Sequence, residues 1–335
     1  MSEPAPTPGA ALRAVDPFDL PHAEAARLLA GDVPIYLPVN PVEYHGPHLS
    51  LHNDHLVSLG LGADLHAALG LGASVPWLVA ASLEAGVEPC PGPGSRATPY
   101  RELRRMVVEA CEALAGLGAR RVVLLTFHGA PLHALALDAG VRVLEARGAR
   151  AIQPLNVLMH EMLSFDPGDF APAFAHVADE ATRAAMIAGL PGDFHAGFFE
   201  TSMALHYAPR SVSPLYRELP PCPAIRPDPA LATLGRLARA AGRERLAREL
   251  DFGALGRGWG ALDPFPGYTG QPRHATAAAG RLFATHIVSR YAAAARAVFH
   301  GAPTPRPIMR WVEWLSLGGA VPGLPPTRAA RTAPR

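Results

Sequence analysis

The stretch from residue 43 to residue 55 constrains this chain more than any other. It reads Glu43-Tyr44-His45-Gly46-Pro47-His48-Leu49-Ser50-Leu51-His52-Asn53-Asp54-His55 and directly follows an apolar run. In extended backbone, residues i and i+2 point to the same side. Glu43 and His45 can therefore turn a carboxylate and an imidazole toward one ion. Asp54 stands where helical periodicity begins and can reach back from the helix entrance. Mixed carboxylate and imidazole donors suit zinc, manganese or iron better than calcium or magnesium. The plain alternative, a polar surface loop rich in His, loses weight because two more His-bearing segments lie downstream.

The chain has 335 residues, 49% of them hydrophobic and 18% charged, which supports a sizeable buried core rather than disorder. A formal net charge of +1 gives no electrostatic case for a nucleic acid or an anionic membrane. The sequence contains no lysine, so Schiff-base, P-loop and general-base lysines are excluded. Cys90, Cys111 and Cys222 are too few and too scattered for a disulfide framework or a Cys-type zinc site. A reducing cytoplasm is the simplest compartment. The Pro- and Ala-rich start does not read as a signal peptide, and no apolar run is long enough to span a bilayer.

In chain order, residues 1–16 read as a flexible arm, residues 17–317 as a single α/β domain, and 318–335 as a disordered tail. Helix is expected at 22–29, a buried strand at 33–39, the Glu43–His55 loop, and helix again at 54–69. A second strand at 75–82 leads through a Pro/Gly loop to a helix that Thr98 caps and Pro99 begins, running to 117 and stopping at Gly118. A third strand, 121–127, has the continuous apolar character of a central parallel strand, and His128 stands at its end. Helix 132–147 and a fourth strand at 151–157 follow. This alternation predicts a doubly wound, mostly parallel sheet flanked by helices, whose ligand sites lie beyond the strand carboxyl ends. Glu43, His45 and His128 all fall there.

Farther on, helix is expected at 179–188. His195 and Glu200 mark the entry of a helix that ends before Pro209. Residues 231–250 read as one amphipathic helix, 258–273 as a Gly/Pro-rich loop over the site, and 274–299 as a long helix. Trp311 and Trp314 read as core or subunit-contact residues. His48, His52 and His55 read as loop residues near the site, and His133 as a surface position. His160, His206, His274 and His286 read as structural.

Three segments together carry a family resemblance. They are Glu43-Tyr44-His45-Gly46-Pro47-His48-Leu49 with Asp54, Thr126-Phe127-His128-Gly129-Ala130-Pro131, and Asp193-Phe194-His195-Ala196-Gly197-Phe198-Phe199-Glu200-Thr201-Ser202. In order and spacing they resemble the creatininase (creatinine amidohydrolase) family across roughly residues 20–300. Gly267-Tyr268-Thr269-Gly270-Gln271-Pro272 with Ala275-Thr276 adds to the likeness. The resemblance implies a three-layer α/β/α fold and a two-metal hydrolase of a C–N bond other than an ordinary peptide bond. It also implies two divalent ions, zinc first with manganese or iron as alternatives, and a homo-oligomer, by family habit a hexamer. Glu43, His45, Asp54 and His128 match ligands, with Asp54 bridging.

The family's carboxylate two residues after the strand-end His is Ala130 here, and Glu200 is the candidate replacement. His195 matches a catalytic-region His that could protonate the leaving nitrogen, with Asp193 orienting it. The plain readings are that Asp193 caps the helix and that Glu200 complements its dipole. Phe127, Phe194, Phe198 and Phe199 imply an apolar site for a small-molecule amide, lactam or formamide. The alternatives are a peptide- or natural-product-processing member, or a metal-free pseudoenzyme serving as a binding or assembly subunit.

Overall fold

The computed structural model describes residues 14–71 and 75–320. Its centre is the strand β2 (Ile35–Asn40), buried along its whole length, as its apolar run requires. β5 (Arg121–Leu125) pairs with β2 in parallel, with Ile35 opposite Val122 and Pro38 opposite Leu125. β6 (Arg150–Ile152) extends the sheet beyond β5. On the other side β3 (Trp77–Val79) pairs with the start of β2, and β4 (Leu83–Glu84) with its end. β1 (Ala14–Val15) lies outside β3. The order is β1-β3-β2-β5-β6, every pair parallel. The expected parallel sheet is therefore present. The carboxyl ends of β2, β4 and β5 meet along one edge.

Helices flank this sheet. α1 (His22–Leu29) precedes β2, and α2 (Asn53–Ala68) follows the ligand-rich loop and packs on β2 and β5. α3 (Tyr100–Gly116) and α4 (Pro131–Ala146) pack on each other. α5 (Leu155–Met162), α6 (Glu180–Gly189) and α7 (Phe198–Tyr207) come next. α8 (Pro229–Ala240) and α9 (Glu244–Gly260) form a hairpin. α10 (Ala277–Phe299) lies against α2, α5 and α7, and α11 (Trp311–Leu315) touches α4.

Several boundaries differ from expectation, each for a local reason. The fourth strand ends at Ile152 instead of continuing to 157. Pro154 has no N–H to give a ladder and instead stands at the entrance of α5. The helix expected over 231–250 is two helices, broken at Gly242, which has φ of +70°. The second of them runs on to Gly260, inside the span expected to be loop. α3 begins one residue late, with Pro99 itself in the capping position and Thr98 outside it. Ala14 and Val15, expected in the arm, pair in the sheet. Residues 1–13 of that arm and 321–335 of the expected tail lie outside the described residues. Trp311 is half-buried with its Nε1–H on Glu249, whereas Trp314 is exposed. Among the described residues, no helix is long and apolar enough to cross a membrane.

α7 and α10 approach so closely at Gly280 that a methyl group there would overlap the Ser202 carbonyl. A helical Gly→Ala exchange ordinarily gains ~1 kcal/mol, but overpacking against backbone outweighs that gain. Gly280→Ala is expected to destabilise the protein by about 2 kcal/mol, read from the midpoint of urea denaturation. A stabilising result would show that this helix contact is looser than described.

Candidate metal centre

The site assembles where three parallel strands end. Beyond β2 the chain makes a compact loop in which Gly46 takes a left-handed φ of +65° and the Glu43 N–H donates to the Leu51 carbonyl at 3.0 Å. This folding turns both Glu43 and His45 inward. Asp54, in the first turn of α2, reaches back to them. The β2 and β5 ends are tied by Asn40, whose amide donates to Ser58 Oγ at 3.1 Å and whose carbonyl oxygen accepts from the Phe127 N–H at 3.1 Å. That tie sets His128 beside the β2 loop.

Glu43, His45 and Asp54 are each at most 2% exposed, and His128 and Glu200 are also buried. Glu43 Oε2 lies 2.7 Å from His128 Nδ1 and 3.9 Å from His45 Nε2. Asp54 spans the two imidazoles, Oδ1 at 3.1 Å from His45 Nε2 and Oδ2 at 3.6 Å from His128 Nδ1. Glu200 Oε2 is 3.7 Å from His45 Nε2. Donor atoms fall into three triads: Glu43, Asp54 and His128 form one, His45, Asp54 and Glu200 a second that shares Asp54, and Glu43, His45 and His195 a third. Within each triad the atoms lie within 4.8 Å of one another.

Backbone carbonyls fix the imidazoles. His45 Nδ1–H donates to the Glu43 carbonyl at 3.1 Å, and His128 Nε2–H donates to the Val87 carbonyl at 2.9 Å. Each ring thereby turns its other nitrogen to the carboxylates, where it would offer a lone pair once a cation displaces its proton. Asp54 Oδ2 is buried with no hydrogen-bond partner of its own, and Glu43 Oε2 meets only the His128 ring nitrogen. Buried carboxylate oxygens that face imidazole nitrogens and little else suit a divalent cation.

The electrostatics agree. Burial pushes the Glu200 carboxyl up to about 8 and raises Glu43 as well. Asp54 is held below its ordinary range, because the attraction of His45 and His128 overcomes the cost of burial. Burial would lower His45 and His128, yet the carboxylates lift them to about 10 and about 9. Protein groups alone would keep protons here to balance the carboxylates, and cations would displace those protons.

Glu200 is aimed by an unusual backbone. Ala196 has φ of +48°, a left-handed conformation rare for a residue with a side chain, and its N–H donates to Glu200 Oε2 at 2.6 Å. His195 stacks on His45 with ring centroids 4.4 Å apart and lies 5.0 Å from the Trp259 ring. Its Nε2–H donates to the Tyr44 carbonyl at 3.0 Å. Burial, and then the charge on His45, hold its pKa well below the ordinary value. Asp193 stands apart from this cluster. Its Oδ2 accepts from the Phe198 N–H at 2.9 Å at the start of α7, while His195 is held from the backbone by Thr269. Gly197 occupies the N-cap of α7, and Asp193, four residues earlier, accepts from the first N–H of that helix rather than touching the His195 ring.

His133, read as a surface residue, is fully buried. Its Nε2 meets Thr126 Oγ1 at 3.1 Å and the Val39 carbonyl at 3.2 Å, and its ring stands edge-on to His128 at 5.0 Å. Pro131 begins α4 and turns this residue inward. His48 is buried on Thr201 Oγ1 at 2.9 Å, and His52 is exposed beside Glu84. Asn40, which ties the strand ends, and Thr126, whose Oγ1 accepts from the His128 N–H, carry no sequence signal, because neither residue type marks a site by itself.

The cluster opens into a cavity of about 560 Å³. Phe127, Phe194 and Phe199 line it, as expected. Phe198 does not; it packs at 4.5 Å on Phe174 in the core. α5, where a strand was expected to 157, and α9, which runs beyond the expected helix, supply much of the remaining wall.

The creatinine amidohydrolase family model matches residues 19–295. No curated protein matches the chain by sequence. Among solved structures, a crystal structure of creatinine amidohydrolase superposes with a TM-score of 0.53 at 22% identity, covering 85% of this chain and 98% of that one. A creatininase structure labelled Mn gives 0.53 at 22%, covering 86% and 99%. A mutant creatininase of Zn-Zn type gives 0.52 at 22%, covering 84% and 97%. At such identity the structures establish the fold, and the family model, spanning most of the chain, establishes the lineage: this protein belongs to the creatininase family.

Proposed function

We propose that this protein is a hydrolase of a non-peptide C–N bond, in an amide, lactam or formamide, that works with two divalent cations sharing Asp54. The observation that supports this reading most is the pair of donor triads with Asp54 common to both. Zinc is the first expectation and manganese the second, since related structures are labelled with each. Glu43 and His128 would hold one ion and His45 and Glu200 the other. Glu200 thereby supplies the carboxylate that Ala130 does not. Ions bound there would lower the pKa of water toward neutrality and polarise the substrate oxygen.

The remaining chemistry falls to the chain. Hydrolysis forms a C–O bond, breaks the C–N bond, and must deliver a proton to the leaving nitrogen. His195 lines the cavity and presents a ring nitrogen within 4.8 Å of the donor atoms of Glu43 and His45. Its Nε2–H is committed to Tyr44, and burial keeps the ring neutral. The other nitrogen, Nδ1, can accept a proton from the attacking water and pass it to the departing nitrogen. Stacking on His45 and contact with Trp259 keep the ring in place for both transfers.

Two substitutions separate these roles. Glu200→Gln keeps the side chain's shape and removes its charge. It is expected to reduce metal content from about two ions per chain to about one, by elemental analysis of protein purified without chelator. Unchanged metal content would remove Glu200 from the ligand set. His195→Ala is expected to keep both ions and lower kcat by roughly 100-fold or more on any amide the native protein cleaves. Full activity in that variant would assign the proton transfer elsewhere. Activity that survives complete chelation would contradict the whole reading.

A further inference from the structure

The cavity beside the metal centre is far larger than the reacting atoms need. Its volume of about 560 Å³ lies within the range of roughly 300–1,000 Å³ typical of sites that enclose drug-sized ligands. Its walls are apolar, and many are aromatic. Phe127 and Phe199 lie 6.0 Å apart. Phe252 and Trp259, both from α9, stand edge-on to Phe194 at 5.7 and 5.6 Å. Met159 and Met162 on α5 add adaptable thioether surface.

Charge is distributed just as unevenly. Among the described residues that line the cavity there is no Arg, and the chain has no Lys at all. Outside the metal cluster and His195, the ionisable groups on the wall are Glu88, Cys90 and Tyr100, none of them cationic at neutral pH. A substrate carboxylate lodged against these walls would lose its hydration without gaining a partner. An aromatic group would instead exchange water for ring edges and methionine sulfur.

We infer that the substrate is an uncharged amide, lactam or formamide carrying a bulky aromatic group, which this cavity holds while the C–N bond lies at the metal centre. The inference rests on the metal-hydrolase reading above. It disfavours small polar lactams and peptide ends that carry a free carboxylate. Phe199, Phe252 and Trp259 are the specificity residues it assigns. Hydrolysis consumes one water: an amide gives an acid and an amine with the aromatic group on either, a formamide gives formate and the aromatic amine, and a lactam opens to a single amino acid.

The test uses hydroxamic acids, which chelate active-site metals whatever their substituent. Acetohydroxamate, 2-naphthohydroxamate and 4-carboxybenzohydroxamate are titrated calorimetrically into the metal-loaded full chain. Naphthohydroxamate is expected to bind roughly 100-fold more tightly than acetohydroxamate, given the apolar area it buries. The carboxylated probe should bind at least about tenfold more weakly than the naphthyl one. Phe252→Ala, with its metal content confirmed, should narrow the naphthyl-to-methyl ratio by about tenfold. If the acetyl and naphthyl probes bind equally, or the carboxylated probe binds best, the substrate class is wrong while the metal centre stands. If no hydroxamate binds a protein that carries its ions, the cavity is not the substrate site and the inference falls. If the protein takes up no ion, the metal-hydrolase reading falls first and the inference with it.

Discussion

Buried negative charge is the constraint on which the rest of this structure depends. Glu43, Asp54 and Glu200 bring three carboxylates into one desolvated pocket, and the cluster contains no Arg to pair with them. Carboxylates in such a place must be protonated, paired with imidazolium, or bound to cations. The two imidazoles that face them are pinned by the Glu43 and Val87 carbonyls so that their other nitrogens point inward. That orientation is the one a metal ligand needs, and the fold goes to some length to keep it. Asn40 ties the ends of β2 and β5, and Thr126 Oγ1 accepts from the His128 N–H. Ala196 accepts a left-handed backbone so that its N–H can hold Glu200.

Glu200 is the carboxylate we propose in place of the one that the family resemblance implies near the start of α4. The strand-end segment has Ala130 and Pro131, so no carboxylate is available from the start of α4. In the proposed ligand set the carboxylate comes from the first turn of α7, a different part of the chain. Its distance to His45 puts it where the second triad needs a third donor. The same change leaves the entrance of α4 apolar, and with Phe127 it contributes to an aromatic cavity rather than a polar one.

Much of this was legible before any coordinates. The i, i+2 spacing of Glu43 and His45, the helix-entrance position of Asp54 and the strand-end position of His128 follow from the periodicities of strand and helix, and the structure brings these four together. The alternation of apolar runs with helical stretches likewise foretold the parallel sheet. What sequence reasoning missed depended on single backbone events. Pro154 converted an expected strand into α5, and Gly242 split an expected helix, carrying Phe252 and Trp259 onto the cavity wall. His133 was misplaced because helical position alone does not say which side of α4 the sheet covers. Asp193 shares its segment with His195, yet one residue entered the cluster and the other went to the helix start. Adjacency in a motif carries no information about side-chain direction.

The central claim is that two ions sit either side of one carboxylate. Anomalous diffraction from crystals grown with manganese or zinc tests it most directly. The account predicts two anomalous peaks per chain, one near Glu43 and His128 and one near His45 and Glu200, with an oxygen of Asp54 at each. A single peak, or ions bound without Asp54, would contradict it.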